Sequence, residues 1–290
     1  MSNKTKKPII ALMYDFDKTL CAKDMQEYSF IPSIGMNARE FWSEANRIAV
    51  KSDMDKILAY MYLMIKQAKK NDIPITKESF QNLGKDVVLF NGVKGWFKRV
   101  NQYGKDAGVE IEHYILSSGL KEIIEGTPIA KEFKKIYACE FHYNERGNAD
   151  WPQQAVNFTT KTQFLFRISK GVLDVLDDVK LNRNIADNER RVPYRNMIYL
   201  GDGITDVPCM KLVKQYGGQS IAIYQKKHKS KVDVLLKDER VNFMCEADYT
   251  KDSELDKIIK LVIQKMAVAD ELEEISVRQH REIGAELNGE

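Results

Sequence analysis

Three observations in the 290-residue sequence predict an α/β fold, a doubly wound parallel sheet with a helical subdomain inserted into it. Short apolar runs recur at strand length in Pro8–Tyr14, Glu112–Ser117, Asn196–Gly201 and Gln219–Tyr224, each ending at a small or polar turn. Near-continuous apolar runs of this kind mark strands buried on both faces, the condition of a parallel sheet. Helical periodicity fills the intervals between them. Two of the runs end in clustered aspartates, at the carboxyl ends of strands, where open α/β sheets bind their ligands.

The first run stops in Asp15-Phe16-Asp17. A helix is expected from about Ala38 to Ala49, around Phe41, Trp42, Ala45 and Ile48. Ser52 and Asp55 resemble a capping box for the next helix, along which Met54, Ile57, Leu58, Met61, Ile65 and Ala68 repeat at helical spacing. Pro74 breaks that pattern, and Thr76 is the expected N-cap of a helix running from Lys77 towards Val88. Residues 24–90 are therefore expected to form a helical cap inserted between residues 1–23 and 91–290, which make the sheet domain. Val93, Trp96, Phe97 and Val100 mark the helix that returns to the second strand. Between Lys135 and Thr159 the pattern turns to β, with Ile136–Phe141 and Ala155–Phe158 placed around the turn Asn144-Glu145-Arg146-Gly147 as a hairpin. This 144–160 region is either a surface excursion or a lid. A loop at 182–195 carries Arg183, Arg190, Arg191 and Arg195, with no role assigned by the sequence. After about residue 252 a long amphipathic helix carries Leu255, Ile258, Ile259, Val262 and Met266, which either pack on the sheet or pair with a second subunit as a homodimer.

The composition, 43% hydrophobic and 30% charged, is that of a soluble globular chain. Forty-five basic against 42 acidic residues give a formal charge of +3, too small to argue for a nucleic-acid partner. Cys21, Cys139, Cys209 and Cys245 are far apart and form no C-x-x-C pair, so reduced thiols are expected rather than a zinc or redox site. The apolar run Ile9–Tyr14 is too short for a signal segment or a membrane span, and a cytoplasmic protein with no membrane partner is expected.

The chemistry concentrates in four carboxylates: Asp15 and Asp17 after the first strand, and Asp202 and Asp206 in Gly201-Asp202-Gly203-Ile204-Thr205-Asp206. Taken singly, each is as well explained as a turn former or helix N-cap. If adjacent strands bring them together, their repulsion requires a cation, and hard carboxylate oxygens suit Mg²⁺. A calcium loop fails on spacing, because Leu20 and Gln26 stand where a Gly and a Glu are needed. Ser117-Ser118-Gly119 offers a hydroxyl and backbone N–H groups at a helix start, a candidate phosphate cradle as well as an ordinary turn. Thr160-Lys161-Thr162-Gln163 matches a capping box that places Lys161 at the first helical position, with Lys170 as the competing cation.

In this order, Asp15-Phe16-Asp17-Lys18-Thr19, Ser117, Lys161 and Gly201–Asp206 resemble the four motifs of the haloacid-dehalogenase-superfamily hydrolases. The helical insertion after the first motif is similar to that of phosphoserine-phosphatase-like members. The resemblance implies a Rossmann-like core and a Mg²⁺-dependent phosphatase of a small phosphorylated metabolite. In that reading Asp15 is the nucleophile that forms an aspartyl-phosphate, and Asp17 is the general acid and base. Ser117, Ser118, Gly119 and Lys161 hold the phosphate. Asp15, the backbone carbonyl of Asp17, Asp202 and Asp206 hold the metal. Thr19 is a turn residue with a local hydrogen bond, and Arg39 is a further polar residue near the start of the insertion. Asp24 or Glu27 matches the acidic residue that meets the substrate amine in the phosphoserine-like relatives. A phosphomutase using the same aspartates, and a protein that binds a phosphorylated ligand or a partner without turnover, are the competing readings.

Overall fold

A computed structural model describes residues 7–186 and 189–288 of the chain. Seven strands form one sheet in the order β4-β3-β2-β1-β5-β6-β7. Its centre is β1 (Ile9–Tyr14), every residue of which is buried. On one side β1 pairs in parallel with β2 (Glu110–Leu120), starting from Ile9 opposite Glu110. On the other it pairs in parallel with β5 (Met197–Gly201), starting from Ala11 opposite Met197. The chain therefore winds outward in one direction through β2 and β3 (Lys135–Tyr143), and in the other through β5, β6 (Gln219–Tyr224) and β7 (Phe243–Glu246). The reversal falls between β1 and β5, which is where an open α/β sheet places a ligand crevice.

The helices of the 24–90 segment are α1 (Phe30–Ser33), α2 (Ala38–Ser52), α3 (Lys56–Lys70) and α4 (Lys77–Leu83). The expected box at Ser52 does not form, because α2 runs on to Ser52 and ends where Asp53 adopts φ +47°. Asp55 caps α3 instead, its carboxylate accepting from the amides of Ile57 and Leu58 at 2.8 and 3.2 Å. Thr76 caps α4 as expected, at 3.1 Å from the Ser79 amide, but α4 stops at Leu83 rather than near Val88 and gives way to a 3₁₀ turn. The return helix is α5 (Val93–Asp106), and a short α6 (Lys121–Glu125) follows β2.

The hairpin turn falls at Asn144–Gly147 as expected, but its second strand is β4 (Ala149–Gln154) and not Ala155–Phe158. β4 lies at the sheet edge, which tolerates its Pro152, and its polar side chains hide it from an apolar-run reading. Val156 instead runs buried towards α7 (Thr160–Lys170). Beyond α7 come α8 (Asp178–Asn182), α9 (Val207–Gln215) and α10 (Ser230–Lys237). The chain closes with α11 (Glu254–Asn288), which packs on α5 and β7 through Leu255, Ile259, Val262, Ile263 and Met266. Among the described residues no helix is long and apolar enough to cross a membrane.

Two polar networks lock the sheet. Trp96 Nε1 donates to Tyr14 Oη at 3.0 Å; His113 Nε2–H donates to Asn101 Oδ1 at 2.9 Å, which leaves Nδ1 of a neutral imidazole to accept from the Tyr14 hydroxyl at 3.0 Å. Burial lowers the His113 pKa to about 3, so the imidazole in this chain of bonds is neutral. In the second network, at the start of β2, Glu112 receives both guanidinium nitrogens of Arg191, the Tyr114 hydroxyl at 2.6 Å and the Lys134 ammonium. This gives the 182–195 loop one structural anchor; residues 187–188 of that loop lie outside the described residues.

Burial pushes the Glu112 carboxyl up, but the bonds from Arg191, Lys134 and Tyr114 outweigh it and hold the group down at about 2. A depressed carboxylate contributes stability that is fully present above its unfolded pKa, about 4.3, and is lost as pH falls towards the folded value. Urea unfolding of Glu112→Gln between pH 7 and pH 2 is therefore expected to show about 1–3 kcal/mol less acid-induced loss than the parent over the window from pH 5 to 2. Parallel pH profiles for the two proteins would sink the assignment.

Candidate active site

The turn after β1 begins with Asp15, whose amide donates to the Leu200 carbonyl of β5 at 2.9 Å. The Phe16 carbonyl then accepts from the amides of Thr19 and Leu20 at 3.3 and 2.9 Å, and Lys18 takes φ +59°. This tight turn sends the chain back, and Asp17 Oδ1 accepts from the Met25 amide at 2.8 Å. Gly119 is required beside it: a Cβ at that position would lie 2.2 Å from Met25 Cε and 2.8 Å from Asp17 Oδ2. After β5, Asp202 begins a turn that ends in Asp206, just before α9. Gly201 is required there for the same reason, since its Cβ would meet the Asp206 carboxylate at 2.5 Å.

Lys161 reaches this junction from α7. Its ammonium donates to Asp15 Oδ1 at 2.8 Å and to Asp206 Oδ1 at 2.7 Å, with no exposure of the lysine or Asp206 side chains. Tyr199 Oη completes Asp206 Oδ1 at 2.8 Å. Lys170 is elsewhere, donating to the carbonyls of Leu181 and Arg183. The position of Lys161 does not come from the expected capping box. Thr159 is the N-cap residue, the Thr160 hydroxyl accepts from the Asn157 amide at 2.6 Å, and Lys161 is the second residue of the helix.

The electrostatics follow from burial. Desolvation raises the Asp15 pKa to about 7, against the downward pull of Lys161, and the Asp206 charge adds to the rise. Asp202 is pushed well up by burial and then by Asp15 and Asp206; Asp17 is pushed up by burial and then by Asp24 and Asp15. Burial works against the Lys161 charge, but Asp15 and Asp206 overcome it and hold the ammonium protonated. Asp15, Asp202 and Asp206 each bring a carboxylate oxygen within 4.8 Å of the others, and one lysine does not balance three carboxylates. A set of hard oxygen donors with surplus negative charge fits a divalent cation of the Mg²⁺ type.

Asp15, Asp17, Asp24, Ser118 and Asp202 line one cavity of about 590 Å³, and Lys161, which does not line it, bridges Asp15 to Asp206. Ser117-Ser118-Gly119 lies in the last residues of β2, at an irregularity in its pairing with β3, and runs directly into Leu120, the N-cap of the short α6. The Ser117 hydroxyl is buried and accepts from the Gly119 amide at 3.0 Å, while Ser118 Oγ is buried without a partner. Thr19 does not make the local side-chain bond expected of it: its hydroxyl is buried and unpartnered, and its carbonyl accepts from Tyr249. Asp24 is held by Lys18 at 2.6 and 2.8 Å, Glu27 accepts from the Trp42 indole at 2.8 Å, and Arg39 is exposed. Sequence reasoning missed Lys18, Gln26, Trp42, Tyr60, Thr205 and Leu235 as cavity residues. Trp42 and Ile57 carried only a helical-core signal, and Lys18 gave a usable signal only through its place between Asp17 and Thr19.

Residues 12–211, more than half of the chain, match the profile of the haloacid dehalogenase-like hydrolases, and the chain belongs to that family. A Borreliella burgdorferi protein described as uncharacterized is 27% identical over 276 residues, covering 85% of this chain and 94% of that protein. Among solved structures, the fold is similar to a HAD family hydrolase from Salmonella enterica serovar Typhi, with TM-score 0.54, 16% identity and coverage of 88% of this chain and 72% of that one. It is also similar to a probable phosphoserine phosphatase from Vibrio cholerae, with TM-score 0.55, 13% identity and coverage of 92% and 67%. At these identities the structural likeness establishes the doubly wound fold.

Removing one member of a buried charge pair leaves the other uncompensated, at a cost of about 3–5 kcal/mol. Urea unfolding in EDTA is expected to show that loss for Lys161→Ala, partly restored by adding Asp206→Asn, and about 1 kcal/mol or less for Lys170→Ala. Equal losses for the two lysine variants would refute the placement.

Proposed function

We propose that this site hydrolyses a small phosphomonoester through a covalent aspartyl-phosphate. The observation that carries the reading is the meeting of Asp15, Asp17, Lys161, Asp202 and Asp206 at the carboxyl ends of β1 and β5, beside one cavity. Asp15 is the nucleophile: its carboxylate lines the cavity, and Lys161 fixes its orientation. Its oxygen attacks phosphorus in line, the Asp15 O–P bond forms and the P–O bond to the alcohol breaks.

Asp17 has one oxygen committed to the Met25 amide, and its other lies beside Gly119, so it is held with one edge available. That geometry supports proton donation to the departing alkoxide. In the second half-reaction the Asp17 carboxylate takes a proton from water as the water oxygen attacks phosphorus, releasing inorganic phosphate and regenerating the Asp15 carboxylate. Lys161, buried and charged, balances Asp15 and Asp206 and adds positive potential where phosphoryl charge gathers. Ser118 Oγ, buried and unpartnered beside the cavity, is a hydroxyl able to bond a phosphoryl oxygen.

Asp15, Asp202 and Asp206 are the residues that would hold Mg²⁺, with the Asp17 carbonyl. Bound there, the ion would neutralise phosphoryl charge and orient the ester. The second aspartate and the cavity favour hydrolysis over simple ligand binding, and a cytoplasmic small-metabolite substrate is part of the same reading.

Phosphate release from p-nitrophenyl phosphate and a panel of phosphomonoesters is expected with Mg²⁺, to fall to background in excess EDTA, and to drop by at least about 10³ in Asp15→Asn. Turnover that survives Asp15→Asn would exclude the nucleophile, and folded protein inert towards every ester would exclude the phosphatase reading.

A further inference from the structure

The charges beside the nucleophile motif are committed to protein partners. Lys18 donates to both oxygens of Asp24, and the Trp42 indole donates to Glu27. A zwitterionic leaving group would meet an Asp24 whose charge Lys18 already balances and a Lys18 whose charge Asp24 already balances, so each offers it less than an unpaired charge would. Among the described residues, the other charged groups lining the cavity are Asp15, Asp17 and Asp202.

The uncharged part of the lining joins Ser118, Gly203, Thr205 and Gln26 to an apolar and aromatic face. Trp42 and Tyr60 meet edge to face, their ring centroids 5.8 Å apart at 75°, and Ile57 and Leu235 line the same cavity. Tyr60 is fixed by donating its hydroxyl to the Ser118 carbonyl at 2.7 Å, so this wall is anchored to β2. Two polar side chains of the lining lack a hydrogen-bond partner: Ser118, whose Oγ is assigned above to the phosphoryl group, and Gln26, 1% exposed, whose Oε1 receives no hydrogen bond. A buried acceptor in that state calls for an O–H or N–H from whatever fills the space.

Resting on the phosphomonoesterase reading above, we propose that the alcohol released here is uncharged, carries a free hydroxyl, and has a flat aromatic body, the chemical class of a nucleoside. Its hydroxyl donates to Gln26 and its flat face lies against the Trp42–Tyr60 wall. The covalent step is unchanged: the P–O bond to the alcohol oxygen breaks, and that oxygen takes the proton of Asp17. Zwitterionic amino acids are disfavoured, because the Lys18–Asp24 pair leaves neither charge unbalanced.

Adenosine 5′-monophosphate and ribose 5-phosphate share the scissile 5′ linkage and differ in the base, which makes them the discriminating pair. With Mg²⁺ and the full chain, kcat/KM for the nucleotide is expected to exceed that for ribose 5-phosphate by about tenfold or more, and that for O-phosphoserine by about 100-fold. Trp42→Ala should cost the nucleotide about tenfold more than it costs ribose 5-phosphate, chiefly in KM, and Trp42→Phe should restore the preference. Phosphoserine or ribose 5-phosphate used as well as the nucleotide, or equal losses on both esters in Trp42→Ala, would overturn the proposal and leave the phosphatase reading standing. If no ester is turned over, the phosphatase reading fails and calorimetry with adenosine decides the cavity's ligand: binding lost in Trp42→Ala supports the proposal, and no binding to the parent protein overturns it.

Discussion

A buried ammonium between two buried carboxylates governs the arrangement of this molecule. Lys161 comes from α7, Asp15 from the end of β1 and Asp206 from the turn after β5, so the pair of contacts at 2.8 and 2.7 Å joins three segments far apart in sequence. The interaction is stabilising only because it is complete. Desolvating any one of these charges without its partners is costly, and their mutual satisfaction converts that cost into a geometric constraint. Tyr199 supplies a further bond to Asp206 from within β5, and the Asp15 amide is tied to Leu200 of the same strand. The nucleophile candidate is therefore positioned by the sheet from below and by the lysine from the side.

Close packing sharpens this constraint. At Gly201 the Asp206 carboxylate occupies the space of a side chain, and at Gly119 Met25 and Asp17 do the same. These glycines are dictated by contact. Met25 belongs to the first turn after the nucleophile motif, and its sulfur accepts from the Leu120 amide, so the entry to the helical segment is pinned directly to β2. Cavity wall and catalytic floor are in this way parts of one packed unit. A substitution in one is expected to disturb the other, which is why the comparison of two substrates on one variant is more informative than the activity of the variant alone.

Much of this was legible in the sequence, for identifiable reasons. The central strands carried uninterrupted apolar runs, and the aspartates followed them directly, so Asp15, Asp17 and Asp202 could be placed at strand ends from pattern alone. Lys161 was also legible, although through a capping box that the structure replaces with Thr159 and an Asn157–Thr160 contact. What stayed hidden depends on side-chain encounters between segments. The Lys18–Asp24 pair exists because of a left-handed turn at Lys18, a conformation unusual for a residue with a Cβ. Strand β4 was hidden by its Pro152 and polar residues, and the helix start at Lys56 by Ser52, which closes the preceding helix. The engagement of Glu27 by Trp42 likewise joins a 3₁₀ turn to α2, which no local pattern relates.

The same geometry separates the chemistry of the phosphate end from that of the alcohol end. At one end fixed charges converge on Asp15; at the other, paired charges and aromatic rings leave little for a charged group to bind. The central claim concerns the first end, that Asp15 becomes covalently phosphorylated. Acid quenching during turnover of a ³²P-labelled ester, followed by peptide mapping, tests it most directly. The account predicts an acid-stable, hydroxylamine-labile phosphoryl group on the peptide containing Asp15, absent from Asp15→Asn. Label on any other residue, or sustained turnover with no covalent phosphoryl group at any quench time, would contradict it.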